Sequence, residues 1–505
     1  MELPPPLSRS ASRALEPSGH DDAICPKQPI PTLLLVLVTA LVVEGVAFAG
    51  SRLWYSPDAV QYITLGVAIR ERLDFSHELF AIRPPGYPLI LAAVFRLFGT
   101  DSATALMALQ HGMVVCTAVV GASIAWMLRP SRAFALTAGV LGAFSLHLSG
   151  YANAALAEVP YTLLVTVCVH LLIRYQLAGT RRSLVYASVA AGGAALVKPI
   201  GELMLVTCAA VALHRAWYGP RGVRPGSAGG RLKSIGFASV LAVVPGAVLV
   251  APAIVRNLHY QGDLRLTSMG ALALYQRAVV VDKLESPQDG TMAVVRAAYA
   301  QAGDKGLIDS AIPHNTAAGT WQAHQACRLV YGLSYGEAAD LLGKAGAEML
   351  YKHPWRALRR SIGHAGRMLM RPSSGYRLQP SRSRDSGMFR DLAAQRVGAT
   401  ELDRYLPLQS LDTLSRTPLA RSARWLMDQV IWRYHQRLEL GPSFSGLFDT
   451  PYEEYALLFL LGCVISLSQP SRRLWLLLGS VVVGHIVVSA TWLGPIPRYK
   501  IPVHP

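Results

Sequence analysis

Charged residues are scarce in this chain. Asp, Glu, Lys and Arg make up 16% of its 505 residues, whereas 52% are hydrophobic. A typical soluble domain carries about 25% charged residues, so the composition argues against an ordinary soluble multidomain protein and favours a membrane protein. Acidic residues are the scarcer sign, which leaves a formal net charge of +17. Because the basic residues stand largely in short clusters between apolar runs, as orientation signals do, we expect no nucleic-acid partner.

Several chemical motifs are also missing. The six cysteines show no C-x-x-C spacing, so we expect neither a disulfide framework nor a cysteine-bound metal. The chain has no G-x-G-x-x-G element between a strand and a helix and no D-x-D pair, which argues against binding of a nucleotide diphosphate. It also lacks an internal repeat of the kind that marks many secondary transporters.

Long apolar runs are what the sequence has in abundance. A hydrocarbon layer of about 30 Å needs about 20 apolar residues in a helix, and the sequence predicts about nine such spans, some of them short. They lie near residues 30–49, 103–128, 133–150, 157–175, 184–197, 199–217, 234–255, 452–469 and 474–493. The segment 86–99 is shorter and follows two prolines, which favours an interfacial helix or a helix that enters the membrane obliquely.

The basic clusters predict the orientation of these spans, because short loops rich in Lys and Arg stay in the cytoplasm. With the N-terminus inside, every second loop agrees. The predicted divisions are a disordered cytoplasmic tail (1–29), a transmembrane module with its first outer loop at 50–102 (30–255), a mostly helical extracytoplasmic segment (256–451), and C-terminal transmembrane helices with an outer-face end (452–505). Within the outer segment, residues 335–371 place apolar positions at helical spacing beside many arginines, which fits an amphipathic helix on the membrane surface.

Charged residues beside the spans are the candidate functional residues, because an ionisable group inside a membrane costs about 2.5–3.5 kcal/mol on insertion scales. Six of them map to the predicted outer face: Asp58, Arg83, Glu158, Lys198, Arg256 and Arg498. Taken singly, Asp58 could complement a helix dipole and the three arginines could be snorkelling anchors. Glu158 and Lys198 are harder to explain in that way, since they adjoin long apolar stretches.

Four further polar residues lie within predicted spans. Nothing in the sequence around Glu44 identifies a role for it. His111, His147 and His170 have no second His or carboxylate at metal-ligand spacing, so we expect them to line cavities or to form hydrogen bonds between helices.

The order of the outer-face elements resembles a known family. Asp58 follows the first span, and Arg83-Pro84-Pro85-Gly86-Tyr87-Pro88 stands later in the first outer loop, which closes at Leu97-Phe98-Gly99. Later elements are Ala157-Glu158-Val159-Pro160, Leu196-Val197-Lys198-Pro199, Val255-Arg256-Asn257 and Arg498-Tyr499-Lys500-Ile501-Pro502-Val503. Together they resemble the GT-C class of integral-membrane glycosyltransferases, in particular relatives of the dolichyl-phosphate-mannose protein mannosyltransferases and the lipid A aminoarabinose transferases.

The resemblance implies an all-α polytopic enzyme that moves a sugar from a polyprenyl-phosphate donor, by direct displacement with inversion, to an envelope acceptor. Glycosyl transfer needs a base and positive groups that hold the departing phosphate. We assign the base to Asp58, with Glu158 as the second catalytic carboxylate, and the phosphate contacts to Arg83, Lys198, Arg256 and Arg498. A lipid-linked donor also agrees with two observations: the nucleotide motifs are missing, and every candidate site residue is predicted on the outer face.

Several points stay open at the level of sequence. Glu158 could orient the acceptor, hold a basic neighbour, or join Asp58 as a ligand of Mg²⁺ or Mn²⁺, the metals that oxygen ligands suit. The acceptor could be a glycolipid, a polysaccharide or a protein. We expect a multi-pass plasma membrane protein, in bacteria an inner membrane protein, with membrane lipids as partners and the site on the extracytoplasmic side. The competing classes are a transporter and a non-catalytic envelope assembly protein.

Overall fold

The computed structural model describes most of the chain up to Met370. The described residues are 28–50, 57–99, 103–218, 228–284, 290–309, 311–313, 315–370, 422–423 and 425–426. Within these ranges the secondary structure is helical and contains no β-strand, which confirms the all-α prediction. The predicted tail lies almost wholly outside the described residues, as do the spans near 452–469 and 474–493.

The first part of the chain forms a helical membrane module. Its helices are α1 (Ile30–Gly50), α2 (Pro57–Arg72), α3 (Gly86–Phe98), α4 (Ala103–Leu128), α5 (Arg132–Ala143), α6 (Leu146–Ala152), α7 (Glu158–Ala178), α8 (Arg181–Val197), α9 (Glu202–Tyr218) and α10 (Ala228–Gln261). Among the described residues, five helical segments are long and apolar enough to cross a membrane: Ile30–Gly50, Thr104–Leu128, Glu158–Ala178, Pro199–Trp217 and Lys233–Gln261. The chain therefore has the helices of a membrane protein.

The region predicted as one span over 133–150 has a different structure. It consists of the 12-residue α5 and the 7-residue α6, which are separated at Phe144 and Ser145. Ser145 is the N-cap of α6, and its carbonyl oxygen accepts the first hydrogen bond of that helix, from the Ser149 N–H at 3.0 Å. Serine is favoured at this position, so a new helix begins here. The prediction of a single span here was wrong.

Small residues let α8 and α10 approach closely. A Cβ on Gly192 would lie 2.6 Å from the carbonyl oxygen of Gly246, and one on Gly246 would collide with the Ser188 carbonyl oxygen. The Ser188 hydroxyl accepts a hydrogen bond from the Gly246 N–H at 2.9 Å. Close backbone contact at small residues is a common way for helices to associate in membranes.

The segment after α10 forms a small helical domain. Its helices are α11 (Met269–Gln276), continued by a π-helical turn (Arg277–Val281), α12 (Thr291–Asp304), α13 (Ala317–Tyr331), α14 (Tyr335–Lys352) and α15 (Pro354–Met370). We call residues 262–370 the outer domain, after the side of the membrane predicted for it from the basic clusters. Its buried residues, such as Tyr275 and Leu342, form one core with Leu65 of α2 and with Phe80 and Ile82 of the first loop. The outer domain therefore packs directly on the segment that carries Arg83.

The single amphipathic helix expected over 335–371 is instead two helices. The chain breaks at His353 because Pro354 cannot continue α14. The apolar face of α14 is buried in the outer domain core, with Leu342 and Met349 fully covered. On α15, by contrast, Trp355 is 80% exposed and Ile362 is 66% exposed, so large apolar side chains of this helix are uncovered. The predicted position on a membrane surface stays a prediction.

Candidate functional site

One large cavity lies between the membrane module and the outer domain. Its volume is about 1360 Å³, and it receives side chains from both parts of the structure. Four of the six predicted site residues line it: Asp58, Arg83, Glu158 and Lys198. The sequence places these residues far apart, and the fold brings them together as two acid–base pairs.

The first pair joins α2 to the loop before α3. Pro57 is the first residue of α2, a position where proline is favoured. Asp58 follows in the first turn, where a carboxylate complements the helix dipole. The Arg83 guanidinium donates from Nη2 to Asp58 Oδ1 at 2.5 Å and from Nε to Gln61 Oε1 at 2.9 Å. Its Cζ atom also lies 5.0 Å from the centre of the Tyr62 ring. Three residues of α2 therefore fix the orientation of one arginine.

The second pair joins the beginning of α7 to the end of α8. Glu158 is the first residue of α7, and Lys198 follows α8 in an extended conformation before Pro199. The Lys198 ammonium donates to Glu158 Oε1 at 3.2 Å, and the two side chains are 10% and 5% exposed. Because α7 and α8 are joined by a short turn, the beginning of one and the end of the other lie at the same end of the bundle. The structure thus supports the alternative in which Glu158 holds a basic neighbour.

Close contact at Gly86 connects the two pairs. A Cβ at this position would lie 2.6 Å from the Leu196 carbonyl oxygen and 2.9 Å from the Val197 nitrogen. The first turn of α3 therefore rests on the backbone that leads into Lys198. Only glycine permits this approach, and it places the Arg83 segment beside the end of α8.

Arg256 lies elsewhere. It is inside α10, which continues to Gln261 beyond the predicted boundary, and it is not among the residues that line the cavity. Its guanidinium donates to the carbonyl oxygens of Phe75 at 2.5 Å and His77 at 2.7 Å, and lies 4.8 Å from the Phe80 ring. These contacts tie the first outer loop to α10. Arg498 lies outside the described residues.

Four charged residues in the wall of the cavity were not predicted from the sequence. These are Glu202 of α9, Arg265 of the loop after α10, and Asp340 and Lys344 of α14. Arg265 bridges Asp263 at 2.7 Å and Asp340 at 2.6 Å. The spacing of Asp340 and Lys344 puts both on one face of α14, which is the one signal in the sequence that could have pointed to this wall.

The bridge changes the ionisation of its members. Burial alone would raise the pKa of Asp263, but hydrogen bonds from the Arg265 side chain and backbone outweigh it, and the net pKa is lowered. The hydrogen bond to Asp263 correspondingly raises the pKa of Arg265. Both groups are therefore charged at neutral pH, and the wall is a fixed ionic surface.

The remaining surface of the cavity is largely apolar. Leu203 and Val206 of α9 and Val250, Ile254 and Val255 of α10 face it. Val206 is 65% exposed and Val255 is 62% exposed. The apolar wall is thus reachable from outside the helix bundle, between two of the five helices that could cross a membrane. This arrangement suits a ligand with a polar head and an apolar tail.

No protein-family model, curated protein or solved structure gives a significant match to the chain.

The polar residues predicted inside spans are partly explained. His111 Nδ1 lies 2.5 Å from Glu44 Oε2, so the expected hydrogen bond between helices is confirmed for His111. His170 Nδ1 lies 3.4 Å from the Ser123 hydroxyl of a neighbouring helix. The His147 side chain is outside the described part of the structure.

The two predicted catalytic carboxylates each have a basic partner in the cavity. Across the described ranges there is no group of three or more His, Cys, Asp or Glu side chains placed to hold a metal ion. Asp58 and Glu158 are each engaged by a basic side chain, rather than turned together as Mg²⁺ or Mn²⁺ ligands would be.

Proposed function

We propose that the chain is an inverting glycosyltransferase of the GT-C kind, which moves a sugar from a polyprenyl phosphate to an envelope acceptor on the extracytoplasmic face of a bacterial inner membrane. The observation that carries this proposal is the convergence of Asp58–Arg83 and Glu158–Lys198 in one cavity with a long apolar wall. A base, two cations and a surface for a lipid chain are the groups that this reaction needs in one place.

Asp58 is the base in this mechanism. Its carboxylate takes the proton of the acceptor hydroxyl as the hydroxyl oxygen forms a bond to the anomeric carbon. The bond between that carbon and the phosphate oxygen breaks on the opposite side, and its electron pair leaves with the polyprenyl phosphate. Arg83 holds the Asp58 carboxylate at 2.5 Å and so fixes the direction from which the proton is accepted.

The cations hold the departing phosphate. A guanidinium carries five N–H donors, so Arg83 can hold Asp58 and also contact a phosphate oxygen. Lys198 supplies a second positive charge, and Glu158 sets the position of its ammonium group. Positive groups that are already in place as charge develops on the leaving group are a large source of rate enhancement. Arg498 remains a predicted phosphate ligand, whereas Arg256 is better explained as an anchor of the first outer loop.

The apolar wall accounts for the donor class. Val206 and Val255 offer an apolar surface that is open toward the outside of the bundle. A prenyl chain in this position would keep contact with the lipid phase while its phosphate reached Arg83 and Lys198. The acceptor then enters from the side of the outer domain, past Arg265 and Lys344, and we leave its class as a glycolipid, a polysaccharide or a protein.

The experiment is transfer by the purified full chain in liposomes, with a panel of polyprenyl-phosphate hexoses and pentoses and an envelope extract as the source of acceptor. We expect one donor to release polyprenyl phosphate in a protein-dependent way, and Asp58→Asn to reduce that release by at least ~10²-fold. Asp304→Asn is the matched control, because it changes a carboxylate at the exposed end of α12. An unchanged rate in Asp58→Asn, or no release from any donor, would count against the proposal.

A further inference from the structure

A buried polar cluster lies in the membrane module, outside the cavity. Glu44 of α1 is 1% exposed, His111 of α4 is 4% exposed, and Asn153 at the end of α6 is 2% exposed. Ionisable groups among apolar helices are costly, and in membrane proteins they commonly mark a functional element. The transfer chemistry proposed above does not use these residues.

Hydrogen bonds connect the cluster in one chain. Ser149 donates to Glu44 Oε1 at 2.6 Å, and His111 Nδ1 lies 2.5 Å from Glu44 Oε2. His111 Nε2 lies 3.0 Å from Asn153 Oδ1, whose amide nitrogen donates to the Ser149 carbonyl oxygen. Because Asn153 Oδ1 can only accept, His111 Nε2 carries a proton. Glu44 and His111 are therefore each held by two partners.

The cluster is hydrogen-bonded to the break between α6 and α7. The chain is non-helical from Asn153 to Ala157, and Glu158 follows at once as the first residue of α7. His111 holds Asn153, and its sequence neighbour Gln110 donates to the carbonyl oxygens of Ala152 at 2.9 Å and Ala154 at 2.8 Å. Two adjacent residues of α4 therefore fix the segment that delivers Glu158.

Gln110 also connects the break to the other half of the site. Its Oε1 atom accepts a hydrogen bond from the Tyr87 hydroxyl at 2.9 Å. The Tyr87 ring contacts the Tyr62 ring edge to face, with centres 5.0 Å apart, and the Arg83 guanidinium lies over the Tyr62 ring. The same short stretch of α4 is thus linked to the segments that carry both acid–base pairs.

We propose that Glu44, Gln110 and His111 are positioning residues, which set the α6–α7 break and thereby hold Glu158 against Lys198. They act through the backbone at 152–157 and touch neither donor nor acceptor. The inference rests on the proposed function only for its kinetic consequence, since the position of Glu158 can be measured without any substrate.

The geometric test uses cysteines placed at 158 and 198 in a full-length background without native cysteines, bridged by a short bis-maleimide in liposomes. We expect Glu44→Ala and His111→Ala to reduce the bridging yield several-fold. Glu44→Gln should keep it, because an amide can accept from Ser149 and donate to His111. His170→Ala is the matched control, because His170 is a half-buried histidine of α7 whose Nδ1 lies 3.4 Å from the Ser123 hydroxyl. Equal bridging in all variants would overturn the proposal.

The kinetic test uses the same substitutions in the otherwise unaltered chain, with the donor that the liposome transfer experiment identifies. Misplacement of a reacting group by about 1 Å can cost ~10²-fold in rate, so we expect kcat to fall at least ~10-fold in His111→Ala, with less than a threefold change in KM for the donor. Glu44→Gln should restore kcat. A fall in His170→Ala as large as that in His111→Ala would mean general destabilisation and would overturn a positioning role. If the wild-type chain transfers no sugar, the proposed function fails and the bridging yield still decides this inference.

Discussion

The Glu158–Lys198 pair allows its structural and chemical roles to be separated. The perturbations are Glu158→Gln, Lys198→Met and the double variant. At 3.2 Å and an effective dielectric constant of about 20, Coulomb's law gives an attraction of about 5 kcal/mol. Removing one partner of a buried pair leaves the other charge without compensation, which typically costs about 3–5 kcal/mol. We therefore expect each single variant to lose about 4 kcal/mol of unfolding free energy.

The double variant should be more stable than either single variant, because it leaves no buried charge. Replacing both members of a buried pair is often close to neutral, so we expect its unfolding free energy to return to within about 1–2 kcal/mol of the wild-type value. Donor affinity should not return with it, because the cation that holds phosphate is gone. The assay is denaturant unfolding in detergent, with donor binding measured on the same samples.

An exposed pair provides the control. Arg328 and Glu78 are 2.5 Å apart with side chains 28% and 48% exposed, so Glu78→Gln should cost no more than about 1 kcal/mol. Losses below 1 kcal/mol in both single variants of the buried pair would refute the geometry. Recovery of donor affinity in the double variant would refute the role given to Lys198.

Three further predictions test other parts of the account. Gly86→Ala puts a methyl group 2.6 Å from the Leu196 carbonyl oxygen. It should lower the stability by about 1–3 kcal/mol and should also lower the transfer rate. Gly112→Ala is the control, because a Cβ there has nothing within 4 Å, and it should be neutral or stabilising in a thermal melt. Burial lowers the pKa of His324 from 6.5 to about 4, so the unfolded state binds more protons than the folded state between these pH values. The outer domain should therefore lose up to about 3 kcal/mol of unfolding free energy as the pH falls from 6.5 to 4. Hydrogen exchange of α13, corrected for intrinsic rates, should show this loss, and His324→Gln should abolish it. Cysteines placed at positions 75 and 400 should react with an impermeant maleimide from outside the cell, and labelling from the cytoplasmic side alone would reverse the predicted orientation.

The convergence of Asp58, Arg83, Glu158 and Lys198 was predictable because each stands at a helix end that the sequence marks. Pro57, Pro84 and Pro199 fix three of those ends, since proline begins or interrupts helices. The alternation of spans then places the ends on one side. Local signals of this kind survive folding because they depend on the chain within a few residues.

Other features depend on contacts between distant segments and could not be predicted. The sequence predicts Arg256 as a cation at the membrane edge, but its partners are two carbonyl oxygens about 180 residues earlier in the chain. Glu44 and His111 are 67 residues apart, so neither reveals the other. Ser149, which follows the break at Phe144 and Ser145, donates to Glu44, 105 residues earlier in the chain.

The most direct test of the central claim is a donor titration combined with single-turnover transfer in Asp58→Asn, Arg83→Ala and Arg83→Lys. Asp58→Asn keeps the shape of the side chain but cannot take the proton, so we predict donor affinity close to wild type and a single-turnover rate lower by at least ~10²-fold. Arg83→Ala should lose donor affinity as well as rate. Arg83→Lys should recover part of both, because a lysine lacks the planar fork that reaches Asp58 and Gln61 together. A variant Asp58→Asn that loses donor binding yet keeps its single-turnover rate would contradict the account, and the base would then have to be sought at Glu158.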